Sequence, residues 1–157
     1  MSKNKSGCSA FYSKKFFRNI KYCIQRLRRG YCDADLWSFD YWFLNVVPAI
    51  LKQFAKESVG YPTLFEIEWY EKHKDEIEMT FDEMRAAELW DDKRKIIHKK
   101  IEKAWKNLLL NIANDFERAK HYFEEDGLTE ENGFEKAEEY KDKALKEFSK
   151  WFFYLWD

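Results

Sequence analysis

Apolar residues recur along this chain at three- and four-residue intervals, with charged residues filling the gaps, and that period predicts helices almost throughout. From Ser13, read as an N-cap, the positions Phe16, Phe17, Ile20, Cys23, Ile24 and Leu27 share one side, with Lys and Arg opposite, until Gly30 ends the segment. A second helix, capped by Asp33 or Asp35, is expected to run to about Glu57 and to bury Leu36, Phe39, Phe43, Val46, Val47, Ile50 and Phe54, with Pro48 kinking it. Gly60-Tyr61-Pro62 stops it. The pairs Thr63 with Glu66 and Thr80 with Glu83 have capping-box spacing, so helices are expected to start near Leu64 and Phe81; the first carries Phe65, Trp69 and Ile77, the second Phe81, Met84 and Trp90. From about Asp92 a long helix places Ile97, Ile101, Trp105, Leu108, Ile112, Phe116 and Phe123 on one stripe and ends before Gly127. After an acidic loop, a last helix aligns Phe134, Ala137, Tyr140, Ala144, Leu145, Phe148, Trp151, Phe152 and Leu155. The aromatic end at Trp156-Asp157 is expected to be docked. The expected fold is all-α: a disordered polar leader over residues 1–10, then one domain over 11–157, an irregular bundle of five to six helices with one long central helix.

Composition supports this and adds one asymmetry. The chain has 157 residues, long enough to bury a core without disulfides, and its aromatics (14 Phe, 9 Tyr, 7 Trp) far outnumber its five Gly and two Pro. The formal net charge is -1, yet residues 1–30 hold nine Lys or Arg and no acid, while the remainder carries 19 basic and 29 acidic residues. A cationic arm beside an acidic body follows; the two either attract each other within the fold or the arm is an anion site. The basic amphipathic helix can in principle lie on a membrane surface, but its apolar stripe is no broader than a core face, and packing against the body is the expectation. Cys8, Cys23 and Cys32 lack C-x-x-C spacing and leave an odd thiol, which favours a reducing compartment. No run of about 18 apolar residues is present, so no membrane span is expected.

Enzyme signals are sparse. Glu68-x-x-Glu71 and Glu88-x-x-Asp91 resemble the magnesium site of all-helical nucleoside triphosphate pyrophosphatases, where paired carboxylates hold Mg²⁺ against a phosphate. In a chain this acidic, the alternative is four residues on solvated faces. His73, His98 and His121 have no common metal-ligand spacing, and there is no nucleophile signature or glycine-rich phosphate loop. Asp33-x-Asp35 lacks the rest of a calcium loop and reads as a cap.

The junction between the first two helices is richer. Arg26, Arg28 and Arg29 are forks that match phosphate oxygens, and Tyr31, Trp37, Trp42 and Tyr61 offer ring faces for stacking. The same groups suit a protein interface. Alternatively Asp33, Asp35 and Asp40 simply neutralise the arginines across the turn. Long duplex nucleic acid is not expected, because the acidic body repels it.

At this junction the chain resembles a widespread set of small tailed-bacteriophage proteins. The shared elements read Arg29-Gly30-Tyr31, then Asp33-Ala34-Asp35-Leu36-Trp37-Ser38-Phe39-Asp40-Tyr41, Gly60-Tyr61-Pro62, Trp105 to Leu109 with Phe116-Glu117, and Phe148-Ser149-Lys150-Trp151-Phe152-Phe153-Tyr154-Leu155-Trp156. They cover nearly all of residues 26–157 apart from a longer stretch between Pro62 and Trp105, which holds the paired carboxylates. The resemblance implies a phage accessory protein in the cytoplasm of the infected bacterium. Small phage proteins without catalytic motifs frequently antagonise host defence, an analogy of gene class. The expectation is therefore a non-enzymatic protein without cofactor that sequesters an anionic ligand such as a nucleotide immune signal, as a homo-oligomer closing the site. Arg26, Arg28, Arg29 and Tyr31 bind it, Trp37 and Tyr61 stack on it, and Asp33, Asp35 and Asp40 hold the arginines. Alternatives are an adaptor that binds a host protein and a magnesium-dependent pyrophosphatase using Glu68, Glu71, Glu88 and Asp91.

Overall fold

A computed structural model describes residues 7–87, 91–124, 127 and 129–155, with side chains from Phe16 onward. Among these residues every regular element is helical. The elements are α1 (Gly7–Arg29), α2 (Asp33–Trp37), α3 (Phe39–Glu57), α4 (Thr63–His73), a 3₁₀ turn (Lys74–Glu76), α5 (Phe81–Ala86), the long α6 (Asp92–Phe123), α7 (Gly133–Trp151) and a closing 3₁₀ turn (Phe152–Tyr154). No helix among the described residues is long and apolar enough to cross a membrane. The chain divides into two compact units, residues 1–43 and 44–157.

In the first unit, α1 begins at Gly7, so Ser13 lies inside the helix, and residues 7–10, expected in a polar leader, form its first turn. Residues 1–6 of that leader lie outside the described residues. Gly30, at φ +79°, closes α1 by donating its amide to the Arg26 carbonyl at 2.9 Å, a left-handed backbone that a side chain would strain. The expected second helix is broken. Cys32 caps α2, and Ser38 leaves helical geometry (φ -137°, ψ 57°) before α3 restarts at Phe39. Leu36 and Phe39, expected in a core, are exposed. So is the apolar stripe of α1: Phe16, Phe17, Ile20, Ile24 and Leu27 are exposed.

The second unit is built on α6 and α7. Ile101, Trp105, Leu109, Ile112, Ala113, Phe116 and Ala119 of α6 are buried, as are Ala137, Ala144 and Trp151 of α7. The alanines let the two backbones approach, while the large rings fill the ends: Trp105, Trp151 and Phe65 of α4 meet in pairs at 5.0–5.5 Å between centroids. Phe134 and Phe152, placed on the α7 stripe from spacing, are exposed, and Leu109 takes the core position expected of Leu108. Within this unit α3 buries Leu51 and Ala55 and is tied to α6 by Lys52 with Glu117 at 2.6 Å. A second cluster forms where Tyr70, Met84, Ile97 and Ile101 pack together, the Tyr70 hydroxyl donating to the Met79 carbonyl at 2.7 Å.

Of the two expected capping boxes one forms. Thr80 and Glu83 satisfy each other's amides at the start of α5. Thr63 and Glu66 do not, because Pro62, extended at ψ 144°, takes the N-cap place and its carbonyl accepts from the Glu66 amide at 3.0 Å. Thr63 is then already helical, and its hydroxyl no longer spans the end. Trp90, Trp156 and Asp157 lie outside the described residues.

Candidate functional site

The basic junction belongs to the first unit, and its cations are mostly engaged. Arg26 reaches across the Gly30 bend to Asp35, Nε to Oδ2 at 3.1 Å and a terminal nitrogen to Oδ1 at 2.5 Å, while the Cys32 amide donates to the same carboxylate at 2.7 Å. Asp35 is therefore both the first-turn acid of α2 and the anchor of Arg26, and these bonds hold it far below the usual carboxylate range. Asp33 collects Arg29, Lys21 at 3.0 Å and the Gln25 side-chain amide at 2.7 Å. Gln25, Lys21 and Arg29 together depress its pKa strongly. Arg29 also lies over the Tyr31 ring at 4.7 Å and donates to the Tyr31 carbonyl. Asp40, expected as a third anchor, is exposed in the first turn of α3 and makes no ion pair among the described residues.

Helical geometry gives this clasp a consequence. Lys21, Gln25, Arg26 and Arg29 lie on the side of α1 opposite the stripe of Phe16, Ile20, Ile24 and Leu27. The carboxylates of α2 thus occupy the polar face and leave the apolar one open. Arg28 stands on the border, exposed and without an ion pair among the described residues; Arg18, exposed on the polar face, makes none among them either. Between stripe and clasp runs an open groove of about 470 Å³, with Phe17, Ile20 and Ile24 on one side and Lys21, Gln25, Arg28 and Arg29 on the other. Trp37, expected to stack on a ligand, is 91% exposed at the end of α2. Tyr61 belongs to the second unit. Its ring lies 4.7 Å from that of His98, burial pushes its phenol well above the usual range, and it lines a small cleft of about 180 Å³ with Ser58 and Trp105.

The described carboxylates of the magnesium reading each have a partner of their own. Glu68 pairs with Lys150 at 2.5 Å and Glu71 with Lys74 at 3.1 Å, while Asp91 caps α6 by accepting from the Arg94 amide at 2.9 Å. Glu88 lies outside the described residues. Among the described residues no group of three or more His, Cys, Asp or Glu is arranged to hold a cation.

A feature that spacing does not disclose lies between α4, α6 and α7. These helices enclose a cleft of about 390 Å³ whose floor includes Phe65, Leu108 and Trp151. Trp151 is 2% exposed, and its indole Nε1–H meets no acceptor among the described residues. A buried donor left in that state costs about 1–3 kcal/mol, so it calls for an explanation. The position of Trp151 on a core stripe was legible in its spacing; the orphaned donor was not.

No protein-family model, curated protein or solved structure matches this chain. The phage resemblance accordingly rests on the quoted residues alone.

Proposed function

We propose that the protein is a non-enzymatic binding protein that docks on the acidic surface of another protein through α1. In the setting that the phage resemblance implies, the partner is a host defence protein in the bacterial cytoplasm. One observation carries this choice over nucleotide capture: Arg26 and Arg29, the forks best suited to phosphate, are already held by Asp35 and Asp33, whereas the apolar stripe is open. A stripe reaching from Phe16 to Leu27 spans about 17 Å of helix at 1.5 Å per residue, the scale of a helix-in-groove interface and longer than a mononucleotide phosphate site. Arg18 and Arg28 supply steering toward negative charge.

The test is affinity capture from bacterial lysate, with the wild-type chain compared with Leu27→Glu and Arg28→Glu. One dominant partner, lost in both variants and indifferent to added nucleotide, supports docking through α1. Capture that neither variant changes refutes it.

Nucleotide sequestration is the second reading, favoured by the exposure of Arg28 and Trp37 near the bend. It requires the ligand to compete with the aspartates or to be closed in by another copy of the chain. Stabilisation by a cyclic or linear nucleotide that disappears in Arg28→Ala would select it.

A further inference from the structure

The outer face of α6 carries opposite charge at its two ends. Residues 93–106 hold seven Lys or Arg against the single acid Glu102, whereas residues 124–131, just past the other end, hold five acids and no Lys or Arg. Lys95 and Lys106 find Asp92 and Glu102 one turn away, at 3.4 and 2.6 Å. Lys99, Lys100 and Lys103 are exposed and make no ion pair among the described residues. At the acidic end Glu124 and Glu131 are exposed, and Glu130 Oε1 lies 3.1 Å from His121 Nε2. Lys103 and His121 are about five whole turns apart at 3.6 residues per turn, so they project along one line, with Leu110 and Asn114 between them. That line is opposite Ile101, Trp105, Ile112 and Phe116, which are buried. The two ends cannot meet within one chain, because a continuous helix holds Lys103 about 27 Å from His121. At physiological salt, attraction between exposed charges is largely screened beyond about 8 Å.

We infer that two copies of the chain pair through this face, with the two α6 helices antiparallel about a two-fold axis near Leu110 and Asn114. Charge complementarity selects the occupant. Turning one copy end to end lays Lys103 opposite the second copy's His121 and Glu130, and Lys100 opposite its Glu124, and the two-fold repeats both contacts. A parallel pair would instead set like charges together. Leu110, 37% exposed, puts an apolar side chain at the centre. From Lys99 to Glu124 the strip is about 37 Å long, and a helix with its side chains is about 10 Å wide, so each copy contributes on the order of 400 Å². A standard interface takes about 800 Å² from each partner, so this pairing is weak and sensitive to salt. It uses no residue of α1 and does not rest on the docking proposed for that helix.

The experiment is sedimentation equilibrium of the full chain from about 10 to 500 µM, at about 50 mM and about 500 mM salt. The expected result is a monomer–dimer equilibrium in low salt that weakens about tenfold or more in high salt. Lys103→Glu and Glu130→Lys, both at exposed positions, should each weaken it about tenfold or more. The double variant carries the two charges in exchanged places and should recover most of the loss, which a general effect of net charge would not do. Lys146→Glu, an equal charge change at an exposed place on α7, should alter association by less than about twofold. Melts of every variant within about 2 °C of the parent show that the fold is kept. A chain that stays monomeric at the highest concentration in low salt overturns the inference and leaves the lysines to another polyanion. So does association that both single variants leave intact, a double variant no tighter than the singles, or a dimer that Leu27→Glu abolishes.

Discussion

Replacing Leu27 by Glu distinguishes an open stripe on α1 from one covered in the free protein. Leu27 is 83% exposed, and Glu is nearly as good a helix former as Leu. A substitution at such a site changes stability by no more than about 0.5 kcal/mol. For a chain of this length about 2–4 °C of melting temperature accompanies each kcal/mol, so the expected shift is within about 2 °C. If the stripe were covered, even removal of the Leu side chain would cost about 2–5 kcal/mol, and a buried carboxylate would cost more. That is a fall of roughly 4–20 °C by the same conversion. Thermal melts by circular dichroism at two protein concentrations separate the cases. Leu109→Ala, at a fully buried α6 position, is the control that must fall in the larger range. A drop of more than about 4 °C for Leu27→Glu, or a melt whose concentration dependence disappears with it, refutes the open stripe.

Thr80→Ala should lose about 1 kcal/mol because it removes a formed cap, whereas Thr63→Ala should stay within about 0.5 kcal/mol; chemical denaturation compares the two. Acid should open the α1–α2 clasp late. Asp33 and Asp35 are depressed below their ordinary value of 3.8, so their contribution is complete above that value and is lost as pH falls toward their lower folded values. The amide proton of Cys32, which donates to Asp35, reports this in solution, and a midpoint at the ordinary value contradicts the clasp. Ala144→Leu adds bulk where α6 and α7 approach closely and should cost about 1–3 kcal/mol, while Ala34→Leu at an exposed place should cost little; calorimetry checks both.

The helices of the second unit were largely legible because their stripes repeat for many turns. Ile97, Ile101, Trp105, Ile112 and Phe116 are all buried as their spacing predicts. Between Leu108, Leu109 and Leu110, period alone cannot choose, since the angle at which α7 crosses decides which leucine points inward. The buried Ala113 and Ala119 were missed because counting large residues overlooks the small ones that let helices approach. The break at Ser38 escaped notice because neither Gly nor Pro marks it. In the first unit the pattern identified the amphipathic faces, but an apolar stripe read as a core face carries exposed residues at Phe17, Leu27 and Leu36.

The junction shows why residue types alone underdetermine a binding site. Three arginines near a bend suggest an anion receptor, but three aspartates lie within a few residues of the same bend, and position on the helix decides which groups meet. Asp33 and Asp35 sit in the first turn of α2, where the free backbone amides already favour negative charge, and from there they reach the polar face of α1. Asp40, one helix later, does not share in that clasp. Once the polar face is spent on fixing α2, what the described side chains of α1 have left to offer another molecule is the apolar stripe and the cations of Arg18 and Arg28. That remainder suits a hydrophobic groove with an acidic rim better than an isolated phosphate, which is why a charge reversal at Arg28 and an apolar loss at Leu27 should weaken the same complex.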